Sequence, residues 1–98
     1  MTFDEFKKSL IEKKPPVFGN QLLLAMWYDG KKEWKQAHDI IQDIEDSHAS
    51  LIHAYLHRKE GDQFNAGYWY GKAGRKMPEI PLNQEWNEIV EELLRIEF

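Results

Sequence analysis

Apolar side chains recur along this 98-residue chain at three- and four-residue spacings, and Gly, Pro, Asn or Asp breaks each run; that rhythm predicts helices throughout and no strand. Thr2 with Glu5 forms a capping-box pattern around Phe3, Phe6 and Leu10, so a short amphipathic helix is expected over about 2–14, stopped by Pro15 and Pro16. QLLLAMWY follows Asn20, a good N-cap, and runs to Asp29-Gly30. From about Glu33 to Glu45, Trp34, Ala37, Ile40, Ile41 and Ile44 share one face of a third helix. Asp46-Ser47 opens SLIHAYLHRKE, which Gly61 ends, and Asp62 caps QFNAGYWYGKA, which Gly74 ends. Asn83 is read as the cap of a last helix over about 83–97, where Trp86, Ile89, Val90, Leu93 and Leu94 follow helical spacing closely.

The tight turns pair these helices into two antiparallel hairpins, about 20–45 and 47–75. A shift of 29 residues, the separation of Ala37 and Ala66, superimposes them. Leu22 then falls on Leu51, Leu23 on Ile52, Ala25 on Ala54, Ile41 on Tyr70 and Ile44 on Ala73. A small residue in mid-helix on each arm lets two backbones approach, and the large residue a turn later fills the space beside it. Ala54, Gly61-Asp62, Ala66, Tyr70, Ala73 and Pro78 resemble the tetratricopeptide consensus; the copy through Ala25, Trp34, Ala37, Ile41 and Ile44 lacks the turn glycine and the closing proline. HAYLHRKEGD followed by NAGYWYGKAG also resembles a family of small bacterial proteins of uncharacterised function, which implies a fold and no activity. The expectation is one all-α domain over 1–98, tetratricopeptide-like, with the first and last helices capping the two open ends of the stack.

Composition changes this picture by exclusion. With 42% hydrophobic and 31% charged residues the chain belongs to the ordinary globular class. It has no cysteine, which removes disulfides, thiol catalysis and zinc ribbons. MTFDEFKKSL lacks the apolar stretch of a signal peptide, and the longest apolar run, Leu22 to Tyr28, is too short to cross a bilayer. A cytoplasmic protein with no membrane partner and no cofactor is expected. A net charge of -4 argues against nucleic acid as a partner. The charge is uneven, since Arg58, Lys59, Lys72, Arg75 and Lys76 precede an acidic last segment, so the last helix is expected to lie near that basic stretch.

His53 and His57 sit four apart on one helical face, a spacing that holds a transition metal, with His38, Glu60 or Asp62 as the third ligand. The plain reading is that both are packed, hydrogen-bonded substitutes for apolar residues, since their repeat counterparts are Leu24 and Tyr28. Glu45 and His48 reproduce half of a di-iron signature whose other half is missing. Gly67 and Gly71 lie inside a helix, so they suggest a close backbone approach, by the last helix or by another molecule, and no phosphate loop. Met26-Trp27-Tyr28 and Tyr68-Trp69-Tyr70 each turn through about 100° per residue, so not all three of either triplet reach the core. The tetratricopeptide resemblance puts the first helix of each hairpin on a concave face, where Tyr55, Arg58 and Lys59 suit an acidic peptide or carboxylate; a solvated charged edge is the alternative. Three functions follow: an interaction module for an acidic segment of another protein, a metal-binding or enzymatic protein using His53 and His57, and a homodimer or other structural homo-oligomer.

Overall fold

A computed structural model describes residues 1–96, and among them the chain forms six α-helices and no strand. They are α1 (Phe3–Ser9), α2 (Gln21–Gly30), α3 (Trp34–Ile41), α4 (Ser47–Glu60), α5 (Gln63–Ala73) and α6 (Leu82–Ile96). Side-chain caps start four of them by satisfying N–H groups that have no partner within the helix. Thr2 Oγ1 accepts from Glu5 N–H while the Glu5 carboxylate accepts from Thr2 N–H. Asn20 accepts from Leu23 N–H, Asp46 from His48 and Ala49, and Asp62 from Asn65.

Three boundaries differ from the sequence reading. The first helix stops at Ser9, not near residue 14, because Lys31 Nζ takes the carbonyls of Leu10 and Glu12 at 2.7 and 2.8 Å and draws the chain into a tighter turn. The third stops at Ile41, leaving Ile44 in a loop, because Asp46 must be extended, at φ -158°, to cap α4. Asn83 is not a cap: the last helix already includes Leu82, and the Pro81 carbonyl accepts from Gln84 and Glu85. Residue 97, at the far end expected for that helix, lies outside the described residues.

Helix α2 packs on α3 and α4 on α5, while α3–α4 and α2–α4 contacts join the two hairpins. Ala25, Ala37, Ala54 and Ala66 are fully buried, as the repeat alignment requires. Both hairpin turns close alike, with Glu33 N–H donating to the Tyr28 carbonyl and Asp62 N–H to that of His57, each at 2.9 Å. One apolar core draws on all six helices, from Phe6 in α1 to Leu93 in α6.

The terminal helices do not cap the ends of the stack. Helix α6 lies across α2 and α4, the first helices of the two hairpins, and α1 packs on α6. Trp86, Ile89, Val90 and Leu93 are buried there, and Trp86 Nε1 donates to the Met26 carbonyl at 3.2 Å. The acidic last helix does meet the basic segment, through Arg58–Glu85 and Arg75–Glu92. It does not cover Gly67 or Gly71, since a Cβ added at either glycine meets nothing within 4 Å. Each aromatic triplet splits as its geometry requires: Met26, Trp27 and Tyr70 are buried, Tyr28 and Trp69 half-buried, and Tyr68 exposed.

Candidate metal centre

Helix periodicity puts His53 and His57 on one face of α4, and the turn from α3 into α4 brings His38 against them. His38 Nε2 and His53 Nε2 are 3.0 Å apart, and one ring nitrogen from each of the three histidines lies within 4.8 Å of the other two. His57 Nδ1 pairs with a Glu60 carboxylate oxygen at 2.6 Å, one turn further along α4, which leaves Nε2 as its free ring nitrogen. His53 is buried, and His38 and His57 are half-buried, so the cluster opens toward solvent on one side.

Two tryptophans wall the cluster. Trp34, one turn before His38, stacks on that imidazole with centroids 4.9 Å apart, and its Nε1 is anchored to the Leu56 carbonyl at 2.7 Å. Trp69 of α5 stacks on His53 at 3.9 Å. Both rings hold the imidazole planes by stacking, and neither offers a lone pair to a metal.

Burial pulls His53 down to about 4, well below the ordinary histidine value of 6.5, with His38 and His57 adding to the effect. Burial, and after it His57, also lowers His38. A metal ligand must be a neutral imidazole, so at neutral pH no proton has to leave these two rings before an ion binds. A carboxylate on the far nitrogen of a ligating histidine fixes its tautomer and raises its basicity, the position Glu60 holds toward His57. In a tetrahedral site with bonds of about 2.0–2.1 Å the nitrogens stand about 3.4 Å apart, a spacing near that of His38 and His53, with His57 within 4.8 Å of both.

Of the third ligands considered, His38 is the one that geometry favours. Asp62 comes close to His57 and Glu60, but both its oxygens are engaged by Asn65, one by the backbone N–H and one by the side-chain amide at 2.6 Å. His48, in the half-signature with Glu45, instead pairs with Glu92 of α6 at 2.7 Å.

Tyr55, Arg58 and Lys59 also come together, facing the chain's own acids. The Tyr55 hydroxyl donates to buried Asp29 at 2.8 Å, and Lys59 Nζ pairs with the other oxygen of Asp29 at 2.9 Å. Arg58 pairs with buried Glu85 at 2.7 Å and also donates to the Ile80 carbonyl. The Tyr70 hydroxyl donates to Glu85 at 2.6 Å. Burial first, then the neighbouring carboxylate, raises both phenols above their ordinary range, so they remain donors. The acidic segment that Arg58 holds is α6.

The displaced pKa of His53 contributes to the pH dependence of the metal-free fold. Above pH 6.5 both folded and unfolded chains carry a neutral imidazole there, so the group contributes no slope. Between 6.5 and 4 the unfolded chain takes the proton and the folded one does not, so stability falls by up to about 1.4 kcal/mol per pH unit from this group. A His53→Gln variant lacks this contribution. Urea denaturation at steps across that window is expected to show a shallower loss for the variant than for the wild type; equal slopes would refute this assignment.

This chain matches no known protein-family profile, no curated protein and no solved structure.

Proposed function

We propose that this chain binds a divalent transition-metal ion, zinc before others, through His38, His53 and His57, on a scaffold of two tetratricopeptide-like hairpins. The observation that carries the reading is the convergence of three ring nitrogens within 4.8 Å from two helices, with the Glu60 carboxylate behind one of them. Three imidazoles with a fourth position open to solvent are a ligand set found in catalytic zinc sites, whereas structural zinc sites close all four positions with protein ligands. Such an ion acts as a Lewis acid or lowers the pKa of a bound water. Tyr55, Arg58 and Lys59 support an acidic protein partner less well, because Asp29 and Glu85 already answer their donors.

The test is metal analysis of protein purified without a histidine tag, followed by cobalt titration. One equivalent per chain is expected, with an absorption band of four-coordinate cobalt and quenching of the Trp34 and Trp69 fluorescence. His53→Gln is expected to abolish both signals. Glu60→Gln keeps the ligands but loses the orienting charge, and is expected to weaken affinity about 10- to 100-fold. Binding unchanged by either substitution would reject the site and leave the histidines as packing elements.

A further inference from the structure

We infer that the cavity between α1, α2 and α6 is a binding site for a small organic anion, a carboxylate carried on an apolar body. It lies on the face of α4 turned away from the histidines and is independent of the metal reading. Its volume is about 380 Å³, within the range of small-molecule pockets. Leu10, Leu82 and Trp86 form apolar walls, and the amides of Asn83 and Asn87 stand at one side. Gly30 forms part of the floor, where an added Cβ would lie 2.8 Å from Leu10 and 3.0 Å from Trp86.

The charge around this apolar space is positive in a protein of net charge -4. Lys7, Lys32 and Lys59 line it, and the one acid among its lining residues is Asp29. That carboxylate is buried and answered on both oxygens, by Lys59 and by Tyr55. Among the described residues Lys7 and Lys32 form no salt bridge; the Lys7 ammonium rests over the Phe3 ring, which leaves Lys32 as the cation at the cavity with no anion beside it. A carboxylate there gains a charge-assisted contact with Lys32 while its body replaces water against Trp86 and Leu82.

Lys32 supplies the independent observation. Its φ of 66° is the one left-handed backbone conformation at a non-glycine residue among the described residues. The 29-residue repeat places Lys32 in the position of Gly61, which has φ 90° in the same kind of hairpin turn. The second copy uses the residue that takes this conformation without strain, whereas the first holds a lysine there, at the rim of the cavity. Folding alone favours glycine at residue 32; a cation required at that rim accounts for the lysine.

The experiment is an NMR titration of the full chain with benzoate, with benzamidine as a cation of the same shape and with inorganic phosphate as charge without a body. Saturable shifts at Gly30, Lys32, Asn83 and Asn87 are expected for benzoate and for neither of the others. Lys32→Gly is expected to weaken benzoate about fivefold or more, the loss of roughly one charge contact. It is also expected to melt no lower than the wild type, so that misfolding does not explain the loss. Equal binding of benzoate and benzamidine, shifts from phosphate as large as those from benzoate, or unaltered benzoate binding by Lys32→Gly would each overturn the assignment.

Discussion

A chain ending at Pro81 is expected to lose cooperative unfolding altogether. Helix α6 buries Trp86, Ile89, Val90 and Leu93, and burying a large apolar side chain stabilises by roughly 1.5–3 kcal/mol each. The four together reach roughly 6–12 kcal/mol, an upper bound that still spans most of the roughly 5–15 kcal/mol by which a whole domain is stable. The truncation also removes the Trp86 bond to the Met26 carbonyl and leaves Tyr70 and Arg58 without Glu85. Circular dichroism is expected to show residual helix with no sigmoidal melt, together with strong binding of a hydrophobic dye. A cooperative transition in the truncated chain would mean that the two hairpins stand by themselves and that α6 is an accessory.

The parts of this fold that depend on neighbours along the chain could be read from the sequence, and those that depend on partners far along it could not. The caps at Thr2, Asn20, Asp46 and Asp62 act over two or three residues, so their side chains announce them. The early ends of α1 and α3 escape such a reading. One is set by Lys31, some twenty residues away, and the other by the extended backbone that Asp46 requires. The apolar stripe of α6 is plain in the sequence, but where it docks depends on Trp86 reaching Met26, 60 residues away. Because α6 lies across the first helices of both hairpins, the face expected to hold a partner holds the chain's own last helix, and the glycine face of α5 stays open.

The same division runs through the candidate site. The four-residue spacing of His53 and His57 is local and legible, and it already restricts the third ligand to a few residues. That His38 faces them depends on how α3 turns into α4, which no periodicity reports. The aromatic walls carried a weaker signal. Trp34 lies four residues before His38, the spacing at which side chains on one helix meet, whereas Trp69 reaches His53 from another helix.

Arg58→Ala is expected to cost about 3–5 kcal/mol, because the substitution leaves Glu85 as an uncompensated charge inside the protein. The side chain does two jobs: it pairs with Glu85 on α6 and it holds the Ile80 carbonyl in the segment that leads into α6. Arg58→Lys, with one nitrogen at the end of a flexible stem, is expected to recover only part of the loss. The pair itself need not be a net source of stability, since desolvating two charges offsets much of their attraction. An Arg58→Met, Glu85→Gln double variant is therefore expected to lie closer to the wild type than Arg58→Ala does. Its new amide oxygen still accepts from the Tyr70 hydroxyl, so that buried donor keeps its partner. Urea denaturation of this double variant beside the single Arg58→Met and Glu85→Gln variants gives the coupling between the two positions. A single Arg58→Ala variant within about 1 kcal/mol of the wild type would show that water reaches Glu85 once the guanidinium is gone. The junction of α4 and α6 would then rest on the His48–Glu92 pair and on the buried apolar face of α6.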